Sequence, residues 1–213
     1  TLPKLSIDWE QDDTGTIETL TIQEIQQLYK ATRHYPRNIK HTKPEYFFEA
    51  IALRDCAILT IFYGCGLRRN EGYHLQVEDI NFDRQILHVR KGKANKERFV
   101  PINKANLNYL QEYVYDGRSI LIKDKTESAF FIGERGKQLT AQSIAIRLKI
   151  LQQRTDNIVL QEKNVRLHVL RHSIATHLLQ NGMPLENISR FLGHTSLEST
   201  QIYTHLAMPS DDI

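Results

Sequence analysis

The stretch VRLHVLRHSIATHLLQNGMPLENISRFLGHTSLESTQIYTHL, residues 165–206, decides how the chain is interpreted. It holds five of the nine histidines and no acidic residue between Val165 and Leu185, so its basic groups have no ion-pair partner close in sequence. Basic groups among apolar residues indicate that a ligand supplies the anion, and we expect a phosphate. The polar residues that stand out are His168, Arg171, His172, the pair Gly193-His194, and Tyr203.

The composition is that of an ordinary soluble globular protein. The 213 residues are 40% apolar and 25% charged, enough for one large domain or two small ones. No apolar run approaches the ~18 residues that span a bilayer, and no secretory signal is visible, so we expect a cytoplasmic protein without a membrane partner. Cys56 and Cys65 lie in an apolar stretch and are expected to be reduced core residues. Because the chain starts at Thr1, we expect a fragment or a processed product.

The charge is distributed unevenly. Net charge is +3, but residues 1–24 hold six acidic residues and one basic residue, so the remainder carries +8. A basic body suits a polyanionic partner such as DNA.

Capping signals and apolar periodicity predict a mainly α protein with a small antiparallel β-sheet, an α+β fold. Residues 1–20 are expected to be a linker or arm, and 116–128 and 154–164 to be polar connections. The predicted strands are 85–90 and 98–102, joined by the basic loop KGKANKE. The predicted helices begin at Thr21, at about 47, near Arg68, at Asn103 and at Thr140, and then cover about 166–181, 185–192 and 197–204.

Several basic groups could hold an anion. His168 and Arg171 share one helical face, and Arg68 stands at a helix start where backbone N–H groups and a guanidinium can converge on one anion. Glu71 either orients a basic side chain or simply pairs with Arg68 three positions earlier. A metal at His168 and His172 is not expected, because the glutamate of H-E-x-x-H is missing and Arg171 would repel a cation.

Three segments together carry a family resemblance: YGCGLRRNEGYHLQVEDI, GKANKERFVPI and the closing stretch from Leu167. In this order they resemble the catalytic domain of the tyrosine recombinase (phage integrase) family, and the closing stretch is similar to Xer-type recombinases. The resemblance covers roughly residues 20–206. It implies a catalytic domain over 21–206, a C-terminal tail over 207–213, and an N-terminal DNA-clamping domain that this chain lacks.

The resemblance also implies roles for individual residues. Tyr203 falls at the nucleophile that forms a 3′-phosphotyrosyl link with DNA, a reaction that needs neither ATP nor a metal cofactor. Glu71 falls at the acidic position that supports the first arginine. The remaining implied catalytic positions are Arg68 and Arg171 as phosphate clamps, Lys93 as the loop lysine, and His168 and His194 as the two histidines.

The sequence departs from the family pattern at four positions. Cys65 replaces the usual threonine, and Asn70 replaces the usual serine or threonine. Gly72 replaces the usual leucine, and Ala94 replaces the usual glycine. The change at Ala94 leaves Lys91 and Lys96 as alternatives to Lys93. Candidate DNA contacts, each expected at a phosphate rather than a base, are Lys91, Lys96, Arg98, Arg147 and Lys149.

The implied partner is double-stranded DNA with specific recombination sites. Family behaviour implies a tetramer on DNA encoded by a bacterium, phage or mobile element, and we expect this fragment to be a monomer in solution. Two alternatives are a catalytically idle DNA-binding relative and a type IB topoisomerase-like relaxase. The complete set of six reacting groups argues against the first, and the Xer-like ending argues against the second.

Overall fold

The computed structural model describes residues 18–33, 43–90 and 97–193. These ranges form a mostly helical fold with one small antiparallel sheet, which confirms the predicted fold class. The helices are α1 (Ile22–Thr32), α2 (Glu45–Leu59), α3 (Arg69–Tyr73), α4 (Lys104–Glu112), α5 (Arg118–Leu121), α6 (Ala141–Gln153), α7 (Ile158–Glu162), α8 (Leu167–Gln180) and α9 (Leu185–Leu192).

Helix α2 is the centre of the core, as its apolar sequence predicts. Ala50, Ile51 and Ile58 are fully buried, and α1, α4, α5 and α6 all pack against the helix. A helix that is apolar all round is stable only when other elements cover every face. Beyond its last residue the backbone widens into a π-helical turn over Thr60–Gly64, and the chain then reverses at Gly66, whose φ is 63°.

The sheet consists of β1 (Ile80–Asn81), β2 (Ile86–Val89) and β3 (Arg98–Pro101), in that order and antiparallel. Leu87 pairs with Val100 on the buried face. On the outer face the rings of His88 and Phe99 stack with centroids 4.7 Å apart. Strands β2 and β3 confirm the two predicted strands, whereas β1 was missed because two residues show no alternation.

Two predicted connections contain helix. The helix capped by Asn103 does not end near Tyr115: α4 runs on through a π-helical turn, Tyr113–Gly117, into α5. The buried Tyr113 hydroxyl donates to the carbonyl of Phe130 at 3.0 Å and holds this helical run against the core. Within 154–164, the side chain of Asn157 caps α7, and the Gln152 amide donates to carbonyls of that segment at 2.6 and 2.7 Å.

The other predicted helices lie where their sequence signals placed them. The capping box of Thr21 and Glu24 starts α1, Thr140 caps α6, and α8 and α9 follow in the predicted order. The helix expected over 197–204 lies outside the described residues. Among the helices of 18–33, 43–90 and 97–193, none combines the length and the apolar character needed to cross a membrane.

One departure from the family pattern has a packing reason. A side chain at Gly72 would collide with the ring of Phe62, which is itself fully buried in the core. The ring therefore fills the space in which the leucine that is usual at this position would lie.

A buried ion cluster joins α2 to α6. Asp55 is 1% exposed and accepts hydrogen bonds from Arg54 at 3.2 Å and from Arg147 Nε at 3.1 and 3.2 Å. Arg54 also donates to the carbonyl of Ile132 at 3.2 Å. The guanidinium of Arg147 therefore points into the interior and is paired with a carboxylate, and its expected phosphate contact stays a prediction.

Replacing Asp55 with alanine should destabilise the fold by about 3–5 kcal/mol, because two guanidinium charges would stay buried without their carboxylate. The free energy of unfolding in urea measures the effect. Asp116→Ala, which removes an exposed carboxylate, is the matched control and should change stability by less than about 0.5 kcal/mol. Equal stability of the two variants would contradict the structural role of Asp55.

Candidate active site

Arg68 and Glu71 form a local pair at the start of α3. The backbone N–H of Arg68 donates to Glu71 Oε2 at 2.8 Å, and Nη1 of Arg68 donates to Oε1 at 2.9 Å. Arg68 is thus the N-cap residue of the short helix predicted from the sequence. The side chain of Glu71 is 3% exposed, so its charge needs partners inside the protein.

A second arginine reaches the same carboxylate from the sheet. Arg98 of β3 donates from Nη1 to Oε1 of Glu71 at 2.8 Å and from Nη2 to Oε2 at 2.9 Å, a two-pronged ion pair. Its Nε donates to the carbonyl of Phe191 at 3.2 Å. Each guanidinium nitrogen of Arg98 therefore has an acceptor in the protein, and its expected contact with a DNA phosphate stays a prediction.

Arg171 approaches from α8. It is 5% exposed, and it donates from Nη1 to the carbonyl of Gly66 at 2.6 Å and from Nη2 to the carbonyl of Leu192 at 2.7 Å. Nη1 also lies 4.0 Å from Oε2 of Glu71. The two arginines predicted as phosphate clamps, Arg68 and Arg171, are thus brought to one carboxylate although 103 positions separate them.

The C-terminal end of α9 is the common attachment point of these arginines. Consecutive carbonyls of Phe191, Leu192 and Gly193 accept from Arg98, Arg171 and Arg68, the last at 3.1 Å. The final carbonyls of a helix have no partner within the helix, and the negative end of its dipole favours cations. Gly193 ends α9 with a φ of 67°, and a side chain there would meet Arg98.

Helix α8 is held in place at its middle. Ser173 Oγ accepts from the backbone N–H of Leu20 at 2.8 Å and donates to the carbonyl of Val169 at 2.7 Å. His177 is buried, lies 3.0 Å from the Tyr63 hydroxyl through Nδ1, and has a pKa lowered by burial. His177 is therefore a packing residue of α8.

The histidines near Arg171 lie closer to solvent. His168 is exposed one helical turn before Arg171, and the ring of the half-buried His172 lies 5.8 Å from that of His168. Lys149 is exposed, and its Nζ donates to the side chain of Gln152 at 3.1 Å. The remaining expected site residues lie outside the described part of the chain: Lys91, Lys93, Lys96, His194 and Tyr203.

The electrostatics of the cluster leave an excess of positive charge. Burial alone would raise the pKa of Glu71, but hydrogen bonds and charge from Arg98 and Arg68 hold that pKa at about 2. One ionised carboxylate thus faces three guanidinium groups. Such a site favours a bound anion. Within the described ranges, no group of histidine, cysteine, aspartate and glutamate side chains is arranged to hold a metal.

The sequence missed the role of Arg98 and of the carbonyls of α9. Side chains alternate between the two faces of the strand RFVP, residues 98–101, and this alternation indicates where Arg98 points. Arg98 lies two positions before Val100 and therefore shares its inward face. An arginine on an inward face requires a buried acceptor.

The pH dependence of stability should report on Glu71. Because its pKa falls from 4.5 to about 2 on folding, its ionised form stabilises the fold above pH 4.5. That contribution, roughly 3 kcal/mol, should disappear as the pH falls from 4.5 to 2. Urea unfolding across this range should show a steeper loss for the native chain than for Glu71→Gln. Glu186→Gln, at an exposed position, should leave the native slope unchanged, and parallel curves for all three proteins would contradict the ion-pair arrangement.

Among known sequences, the chain is similar to tyrosine recombinases. Tyrosine recombinase XerD of Pseudomonas putida is 40% identical over 159 residues, which cover 75% of this chain and 52% of that protein. Tyrosine recombinase XerC of Lacticaseibacillus casei is 33% identical over 193 residues, which cover 87% of this chain and 63% of that protein. The chain therefore spans about half to two thirds of the length of these relatives.

Solved structures share the fold. The XerA recombinase matches with a TM-score of 0.73 and 26% identity, over 93% of this chain and 63% of that one. The Tn1549 transposon integrase, solved with transposon right end DNA, matches with a TM-score of 0.70 and 19% identity. The match covers 90% of this chain and 62% of that one. The sequence profile of the phage integrase family matches residues 18–209, nearly the whole chain. This chain is therefore a member of the phage integrase family.

Proposed function

We propose that this chain is the catalytic part of a site-specific DNA recombinase that cleaves and rejoins strands through a 3′-phosphotyrosyl intermediate. The observation that carries the proposal is the cluster of Arg68 and Arg171 around one buried, ionised Glu71. The relatives that bear the name tyrosine recombinase support it. The substrate is double-stranded DNA with specific recombination sites, and the enzyme is a tetramer on DNA.

Arg68 and Arg171 bind the scissile phosphate. Glu71 and the carbonyls of α9 restrict both guanidinium groups to one arrangement, so little reorganisation is needed when DNA binds. The phosphodiester carries one negative charge, and the pentavalent transition state carries more. Preorganised guanidinium groups therefore stabilise the transition state more than the bound substrate, which is the condition for catalysis.

Tyr203 is the proposed nucleophile. Its phenolic oxygen bonds to phosphorus while the bond from phosphorus to the 5′-oxygen breaks. The phenol proton passes to His168, and Lys93 donates a proton to the departing 5′-oxygen. His194 adds a hydrogen bond to the charged phosphoryl oxygens. A phenol with a pKa of ~10 is a weak nucleophile at neutral pH, and the two arginines favour its ionised form.

Rejoining reverses these steps. A 5′-hydroxyl from another strand attacks the phosphotyrosyl phosphorus, the bond to the tyrosine oxygen breaks, and the phenol recovers its proton. The number of phosphoester bonds does not change, so strand exchange requires no ATP.

Tyr203→Phe should abolish covalent attachment to DNA and leave DNA binding within about twofold, because only the attacking oxygen is lost. The substrate is a duplex selected from a randomised library by binding to the protein, with a nick placed so that the short 5′-hydroxyl fragment diffuses away. The adduct is counted on a denaturing gel. Tyr115→Phe, at an exposed tyrosine, is the matched control and should retain the adduct.

The same assay separates the alternatives. An adduct that persists in Tyr203→Phe would contradict the assignment of the nucleophile. Tight DNA binding without any adduct in the native chain would identify an idle DNA-binding relative. Relaxation of supercoiled plasmid without a selected site would identify a topoisomerase-like relaxase.

Arg171→Lys should slow adduct formation at saturating DNA by about 10²–10³-fold, because lysine keeps the charge but loses the planar pair of donors. Thermal unfolding should show that the variant is folded at the assay temperature. Arg84→Lys, in the exposed turn between β1 and β2, is the control and should react at the native rate. A native rate in Arg171→Lys would contradict the clamp assignment.

A further inference from the structure

Arg98 occupies an unusual position for a surface strand residue. It is the first residue of β3, yet its side chain is 10% exposed because it turns inward beside Val100. It binds both oxygens of Glu71 and also the carbonyl of Phe191. A single side chain thus connects the sheet, α3 and the end of α9.

The consequence for the neighbouring arginines is electrostatic. Glu71 is needed to orient Arg68, but a carboxylate that is paired only with Arg68 and Arg171 would cancel much of their charge. The double hydrogen bond from Arg98 neutralises the carboxylate through a group that faces the protein rather than the open site. The guanidinium charges of Arg68 and Arg171 then remain effective towards a phosphate.

We propose, on the basis of the recombinase function above, that Arg98 is a positioning residue for strand cleavage. It neutralises Glu71, so that Glu71 orients Arg68 without cancelling the charge of the two arginines that bind phosphate. Arg98 itself does not contact DNA.

The test is a double-mutant cycle in the full chain, with the nicked duplex described above as the probe. Arg98→Ala should lower the first-order rate of adduct formation at saturating DNA by about 10- to 100-fold, with DNA affinity changed by less than about threefold. In the Glu71→Gln background the same change should cost about threefold or less, since no carboxylate charge remains to be neutralised.

Arg98→Lys should recover part of the rate, because it restores one charge but not the double hydrogen bond. Arg84→Ala removes an equal charge from an exposed turn and should react at the native rate. Thermal unfolding of every variant shows whether a lost rate simply follows lost folding. A variant that is folded at the assay temperature and reacts slowly supports the positioning role.

Other outcomes overturn the inference. In one such outcome, Arg98→Ala weakens DNA binding but keeps the native rate at saturating DNA. If the slope of log affinity against log salt concentration also falls by about one phosphate contact, Arg98 is a direct DNA contact. Equal rate losses in the native and Glu71→Gln backgrounds would also reject the role through Glu71. Absence of an adduct in the native chain is a different result, since it rejects the recombinase function itself.

Discussion

The buried carboxylate of Glu71 is the interaction on which the arrangement of the site depends. Arg68, Arg98 and Arg171 come from α3, β3 and α8, and their charges would repel one another without a counter-ion between them. The carboxylate makes their proximity favourable, and the carbonyls at the end of α9 restrict where each guanidinium lies. Three separate elements are thereby joined at one point beside Gly193, and the histidine and tyrosine of the proposed reaction come later in the sequence.

A comparison with Asp55 shows why a buried ion cluster is not by itself a site. Asp55 also lies between two arginines, Arg54 and Arg147, but this cluster is enclosed in the core between α2 and α6. Its positive charge is directed at protein acceptors, so it joins helices. The cluster at Glu71 is instead partly open, because the side chain of Arg68 retains 26% exposure. The same chemistry therefore joins helices in one place and forms the proposed phosphate site in the other, according to whether a guanidinium reaches solvent.

Local signals in the sequence predicted a large part of this fold. Thr21, Asn103 and Thr140 start helices because each side chain caps backbone N–H groups three positions ahead, an interaction contained in a few residues. The ion pairs of Arg98 and Arg147 span 27 and 92 positions, and no short pattern encodes such contacts. Acidic residues are scarce near Arg171 in the sequence, but the acceptors of its guanidinium come from distant segments, so a bound anion is not the only explanation. The family resemblance named the arginines, and only the fold revealed how they are held.

The three consecutive carbonyls that end α9 limit how this region can evolve. The carbonyls of Phe191 and Leu192 lie about 100° apart around the helix axis, and the left-handed backbone of Gly193 sets the direction of the third, so the three acceptors match three fixed donors. Substituting a side chain on the outer face of α9 leaves those directions unchanged. Inserting or deleting one residue in the helix would shift the whole set by one position and misdirect every acceptor at once. Homologous chains should therefore vary in sequence along α9 far more readily than in its length.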